Sequence, residues 1–248
     1  MNFKVFLILL IIIGIASLFI WWQYKNVKLI QTVTSNKRGE PSERDVILKL
    51  LQMGINPRAI FHDCYIKKSS GTYTQIDLVV TIGQGLLVFE IKDYSGWLFG
   101  NYRQKYWTQV LAYGREKHRF YNPIMQNNNH ISAIRENLFH NPNIPIFSII
   151  VFYGNCELKD ITIVSNNDYL IYPYEIKNTV KDILSQPLAE FGDKHEIMNL
   201  FTKAVTNGED PNIINSHLST VSVASRNKPE SSYYDYFNPH FLLRRWLR

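Results

Sequence analysis

Gln75-Ile76-Asp77-Leu78-Val79-Val80, followed by Gly85-Leu86-Leu87-Val88-Phe89-Glu90-Ile91-Lys92, decides the fold. Thr74–Thr81 reads as a strand, Gly83-Gln84-Gly85 supplies a turn, and Leu86–Ile91 is mostly apolar, as expected of a central strand. Asp77 stands in the first strand, with Glu90 and Lys92 at the end of the second. Side chains alternate faces with a period of two, so Glu90 and Lys92 share a face. If the strands are hairpin neighbours, Asp77 approaches that face near the same end. Two carboxylates placed together repel unless a cation lies between them, and hard oxygen ligands with open positions suit Mg²⁺. An ion there would activate water and offset charge on a phosphate, with Lys92 close enough to assist.

Glu-x-Lys alone is a cheap pattern, and it recurs at Glu157-Leu158-Lys159 and Glu175-Ile176-Lys177. Glu157 follows Gly154-Asn155, which predicts a turn. Glu175 follows Pro173 and opens an amphipathic helix, where an acidic residue suits the dipole. Only Glu90 leaves an apolar strand with an Asp on the strand before it. Converging charges also occur in structural networks, so spacing leaves both readings open.

Outward from this segment, Val46, Ile47, Leu50 and Leu51 make a helical stripe behind an N-cap at Ser42, stopped by Gly54, Asn56 and Pro57. Phe61–Ile66 is a further strand. Residues 102–109 and 117–121 are short and ambiguous. A helix is expected over 124–140, a buried strand over Ile146–Tyr153, short strands near 161–164 and 169–172, and helices near 175–185 and 189–205. This order predicts an α/β fold, a mixed sheet flanked by helices, rather than an all-helical or all-β one. From Asn207 onward the chain is rich in Asn, Ser and Pro and reads as a loosely ordered tail over 206–248. It ends in the aromatic-basic stretch Phe241–Arg248, which a short surface helix would also suit.

The N-terminal segment has a different character. Val5 to Trp22 is an uncharged apolar run of 18 residues, about the length an α-helix needs to cross a bilayer core. A cleaved signal would have a shorter apolar core and a small-residue cleavage site. Here the run continues past Ala16 and Ser17 into Phe19, Ile20, Trp21 and Trp22, so a retained anchor over 1–22 is expected, with a linker over 23–41. Lys25, Lys28, Lys37 and Arg38 outweigh Lys4, which predicts that the rest of the chain stays in the cytoplasm.

Composition excludes several classes. The 248 residues are 46% hydrophobic and 19% charged, which rules out wholesale disorder and a polytopic membrane protein. Two cysteines, Cys64 and Cys156, exclude a disulfide scaffold and a four-Cys zinc site, and both are expected as small buried residues. The seven histidines show no metal-ligand spacing, and His130 is expected to be a packing or helix-surface residue. No phosphate-binding Gly-x-x-x-x-Gly-Lys loop occurs. The net charge of 27 − 21 = +6 leans toward an anionic partner. Arg103, Lys105, Arg115, Lys117 and Arg119 interleave with Tyr102, Tyr106, Trp107 and Tyr113. Cations among stacking rings suit a nucleic-acid backbone; a charged edge hairpin explains them equally well.

Taken together, several motifs in order resemble the NERD (nuclease-related domain) family of the PD-(D/E)xK nuclease superfamily. They are Ser42-Glu43-Arg44-Asp45-Val46, Thr74-Gln75-Ile76-Asp77, Val88-Phe89-Glu90-Ile91-Lys92-Asp93-Tyr94-Ser95-Gly96, Trp107, and Asn122-Pro123-Ile124-Met125-Gln126-Asn127 continuing to His130-Ile131. The resemblance covers about 42–155, within an α/β domain over 42–205, and implies a restriction-endonuclease-like fold. It implies Asp77 and Glu90 as ligands of Mg²⁺ or Mn²⁺ with the Ile91 carbonyl as a third, and Lys92 as the group that positions or activates the attacking water. Glu43 would help order the metal or its water, and Gln126 would contact the site. Asp93 replaces the family's usual Asn and is expected on the opposite sheet face. The expectation is a membrane-anchored, metal-dependent nuclease acting on DNA. The rival is a non-catalytic DNA-binding or protein-interaction module that keeps the fold.

Overall fold

The computed structural model describes residues 3–35, 38–162 and 167–226. The terminal Phe241–Arg248 stretch lies outside them. The chain is α/β, with two sheets flanked by helices. Helix α1 (Phe3–Ile30) leads to α2 (Pro41–Gln52), and three strands follow: β1 (Ile60–Lys67), β2 (Tyr73–Ile82) and β3 (Gly85–Asp93). Next come β4 (Gly96–Asn101), β5 (Tyr106–Leu111) and β6 (Glu116–Tyr121), then α3 (Pro123–Glu136). The chain continues through β7 (Ile146–Tyr153), β8 (Cys156–Thr162), β9 (Asp168–Ile171), α4 (Ile176–Leu184), α5 (Lys194–Asn207) and α6 (Pro211–Arg226).

The main sheet has the order β1-β2-β3-β7-β9, and the second sheet β6-β5-β4-β8. β3 is central as expected: it pairs antiparallel with β2 and parallel with β7, and Leu86 to Phe89 are fully buried. One apolar layer, with Val46, Ile47, Leu50, Leu78, Phe89 and Val180, lies under α2 and α4. Another, with Ile76, Val88, Ile134 and Phe201, lies under α3 and α5. The second sheet packs Leu98, Trp107 and Phe120 against Ile124 of α3 and Ile150 and Phe152 of β7. The tight turn into β3 needs Gly85, whose φ is +139° and where a Cβ would lie 2.2 Å from the Pro145 carbonyl oxygen.

Several local expectations differ from the structure. Helix α2 starts on Pro41 with Glu40 at the N-cap, because proline's fixed φ suits the first helical position and takes that place from Ser42. β4 was not apparent in sequence: Gly96-Trp97-Leu98-Phe99-Gly100 holds two glycines, which blur a strand pattern. Glu157 lies within β8, not in a turn. The expected linker is helical as far as Ile30, and Leu29 and Val33 pack on the α2 layer. The expected loose tail is helical over Pro211–Arg226. His217 of α6 bonds the Tyr73 carbonyl (Nδ1 to O, 3.0 Å) and meets the Tyr65 ring edge-on. Apolar residues spaced among many Ser and Asn gave α6 too faint a stripe to read from composition. Among the described residues one helix, α1, is long and apolar enough to cross a membrane, and its most apolar stretch is not buried.

Trp107, expected among stacking rings, is instead fully buried and stacks on Phe152 at 6.2 Å between ring centroids. Trp107→Ala should cost about 3–5 kcal/mol of stability, as large-to-small core changes at aromatic sites do. Thermal or urea unfolding of the purified chain measures this.

Candidate active site

The site forms where the β2–β3 ladder ends. Pairing runs to Leu78 opposite Phe89, which leaves Asp77 and Glu90 as the next positions. There the Asp77 carboxylate takes over from the ladder: its Oδ2 accepts a hydrogen bond from Ile91 N at 2.7 Å. Lys92, two residues beyond Glu90, returns to the same face, and its Nζ lies 2.6 Å from Glu90 Oε1. The period-two expectation for Glu90 and Lys92 is met. Asp93 is exposed, and its carboxylate lies beside Gly154.

Helix α3 secures this end of β3. Asn122 caps it, its Oδ1 accepting from Ile124 N at 2.9 Å, and Pro123 takes the first turn. Gln126 Oε1 accepts from Lys92 Nζ at 3.1 Å. Asn127 donates through Nδ2 to the Val88 carbonyl and to Ser148 Oγ, both at 3.0 Å. His130 lies one helical turn beyond Gln126. Its Nε2 is 3.1 Å from Glu90 Oε2, and its Nδ1 is 2.8 Å from Thr74 Oγ1. His130 is therefore buried against Glu90, not on the helix surface. Its four-residue spacing from Gln126 was readable in the sequence, but its partner became visible only with the fold.

Glu43 comes from the first turn of α2. Its Oε2 is 2.8 Å from His62 Nε2, and the opposite ring nitrogen of His62 is 2.8 Å from Thr34 Oγ1. A chain of hydrogen-bonding groups thus runs from the residues just past α1 to Glu43. Neither His62 nor Thr34 belongs to a motif quoted from the sequence. They meet only because the first strand carries His62 inward toward α2.

Electrostatics divide the three acids. Burial pushes Glu43 up to about 8, with Asp63, Glu40 and Glu90 adding repulsion. Burial also raises Asp77 well above the usual carboxylate range, and the charges of Glu90 and Glu43 add to it. Glu90 goes the other way. Burial alone would raise it, but the Lys92 charge and the bonds from His130 and Lys92 hold it at about 2. Burial works against the Lys92 ammonium, but the Glu90 carboxylate more than offsets it and holds Lys92 above the usual lysine range. Burial lowers His62 to about 4, and Arg38 and Arg44 contribute in the same direction. The charges acting on Asp77 are thus two further carboxylates and one ammonium.

This excess of negative charge fits a divalent cation, which would let Asp77 and Glu43 ionise. Among the described residues, no group of three or more His, Cys, Asp and Glu side chains is arranged to hold a metal. Ligation here would therefore rest on Asp77 and Glu90, completed by the Ile91 carbonyl and water. The remaining expected residues fall in two groups. Arg103 and Lys105 are exposed on the β4–β5 connection, Arg103 over the Tyr102 ring and Lys105, with Arg119, over the Tyr106 ring. Arg115 and Lys117 are exposed at the other end of the β5–β6 hairpin. Asn122 ties the 101–105 connection to α3 by donating to the carbonyls of Asn101 (3.1 Å) and Gln104 (2.8 Å).

Residues 38–153 match the family model of the nuclease-related domain, NERD. The matched span includes Glu43, Asp77, Glu90, Lys92, Gln126 and His130. An uncharacterized protein of Bacillus anthracis is 28% identical over 146 residues, 58% of this chain and 66% of that relative. The chain thus spans just under two thirds of the length of the relative it matches. No solved structure matches it.

The shifts of Glu43 and His62 set the sign of a pH effect. Glu43 titrates at about 8 in the fold against 4.5 as its ordinary value, so between those limits the folded chain keeps a proton that the unfolded chain has lost. Its stabilising effect is full below 4.5 and is lost as the pH rises through 8. His62 is lowered from 6.5 to about 4, so its effect is opposite and confined below 6.5. Between pH 6.5 and 8 the metal-free protein should therefore gain stability as pH falls, by up to about 1.4 kcal/mol per pH unit for one proton. Asp77, raised in the same direction, adds to the slope, so Glu43→Gln should reduce it by the Glu43 share in metal-free melting curves.

Proposed function

We propose that the chain, whose residues 38–153 match the family model of the nuclease-related domain, is a metal-dependent nuclease hydrolysing phosphodiester bonds, with DNA as its substrate. One observation carries the proposal: Asp77 and Glu90 meet at the end of adjoining strands with the Lys92 ammonium 2.6 Å from Glu90. Asp77 and Glu90, with the Ile91 carbonyl, would hold Mg²⁺ or Mn²⁺, which when bound supplies a Lewis acid for water and for the phosphate oxygens. Lys92 is held protonated, so it acts as a donor and positive charge toward phosphate or water, not as a base. Gln126 and Glu90 fix its amine through their bonds to Nζ. Glu43, titrating near neutral pH, orders water at the site and accepts its proton. His130 holds Glu90 in place from α3.

We propose further that α1 anchors the domain to a membrane. Its apolar stretch is exposed along its length, and Trp21 and Trp22 stand at its end, as interfacial residues do. The larger positive cluster after the span supports a cytoplasmic domain.

A binding module without catalysis is favoured by one observation. Both Glu90 oxygens are already engaged, by Lys92 and by His130, leaving Asp77 the less committed ligand. A cleavage assay separates the two. The full chain in detergent with Mg²⁺ or Mn²⁺ should cut plasmid and linear DNA. Asp77→Ala and Glu90→Ala should each reduce the rate at least about a hundredfold, since loss of metal-type charge stabilisation is worth several kcal/mol. Equal cleavage by wild type and both variants would refute the site. DNA binding without cleavage, surviving Asp77→Ala, would identify the binding module.

A further inference from the structure

We propose that the outward face of the β4–β5–β6 sheet docks single-stranded nucleic acid, with the rings of Trp97 and Phe99 as platforms on which unpaired bases stack. This rests on the nuclease reading and specifies the form of its substrate. Alternation builds the face. Leu98, Trp107 and Phe120 point inward and are buried, so their neighbours point out. Across the strands Trp97 stands opposite Val110 and Val110 opposite Lys117. Phe99 stands opposite Thr108 and Thr108 opposite Arg119. Tyr106 and Tyr121 complete the outer row.

Trp97 is 41% exposed, and neither it nor Phe99 joins any of the three apolar clusters. Together with Thr108, Val110, Gly114 and Lys117 they line a shallow depression of about 440 Å³. An exposed indole beside a half-buried phenyl on a solvent-facing sheet surface has a hydrophobic cost that a stacking ligand removes.

Charge selects the ligand. Lys117 and Arg119 flank the depression, and Arg103, Lys105 and Arg115 stand at the ends of the same hairpins. Among the described residues none of these five cations pairs with a carboxylate. Cations beside rings fit phosphates and bases alternating along one strand. A duplex offers the same phosphates but keeps its base faces stacked inside, so it would leave Trp97 uncovered. An anionic lipid surface also attracts aromatic and basic residues. Continuity with the proposed active site favours nucleic acid. The 101–105 connection leaves this face after Phe99, is held by Asn122 at the start of α3, and so adjoins Gln126 and its bond to Lys92.

The test measures binding of the full chain in detergent, with a chelator present so that nothing is cut. The probes are a labelled thymidine oligonucleotide of about 16 residues, near the upper site size of one stacking module, and a duplex of the same length. Trp97→Ala should weaken single-strand binding about 5- to 150-fold, the range for loss of one stacked base, and leave duplex binding and melting temperature unchanged. Trp97→Tyr should keep most of the affinity. Unchanged single-strand binding by Trp97→Ala would overturn the proposal, as would an equal loss for the duplex. So would a tryptophan emission shift on transfer from zwitterionic to phosphatidylserine nanodiscs that disappears in Trp97→Ala, without any response to the oligonucleotide, which would assign the face to lipid. Trp97-dependent binding without metal-dependent cleavage would sink the nuclease reading alone. Cleavage with Trp97-independent binding would sink this inference alone.

Discussion

Asp77 and Glu90 are forced together by strand pairing, and much of the surrounding structure answers that constraint. The ladder between β2 and β3 stops at Leu78 and Phe89, and the Asp77 carboxylate takes the Ile91 N–H that would otherwise lack a partner at the sheet end. Glu90 is buried beside it, in a place where an uncompensated charge would be prohibitive. Lys92 and His130 bind its two oxygens, Gln126 steadies Lys92, and Asn127 fixes α3 to β3. Glu90 is thereby kept ionised, and Asp77 and Glu43 are left strained toward protonation. That imbalance is what a divalent cation would relieve.

The same constraint explains why α2 and the start of the domain matter. Glu43 enters the acidic group from α2, and His62 holds it from β1. His62 is in turn held by Thr34, a few residues after the end of α1. Leu29, at the end of α1, and Val33, just beyond it, pack against the apolar layer under α2.

What could be read from sequence follows the range of the interactions. β2, β3 and β7 were legible because their apolar runs are long and bounded by turns, and the Asp77, Glu90 and Lys92 convergence followed from a period of two and one hairpin. β4 was hidden by Gly96 and Gly100, although Gly100 is needed where the Trp107 ring crowds the backbone. Trp107 misled because an aromatic among basic residues looks like a stacking ring until pairing shows which face it occupies. Trp97, on the opposite face, went unnoticed for the same reason. His130 and His62 escaped because their partners are 40 and 19 residues away, and single-sequence spacing carries no information at that distance.

On this reading the acidic cluster takes a divalent cation through Asp77. Calorimetric titration of the full chain with Mn²⁺ tests it without relying on turnover. One ion should bind per chain, more tightly as pH rises and with release of protons, because Asp77 and Glu43 must ionise to receive it, and Asp77→Asn should abolish binding while leaving the fold intact. Binding that is absent from the folded wild-type chain, or that persists unchanged in Asp77→Asn, would contradict it.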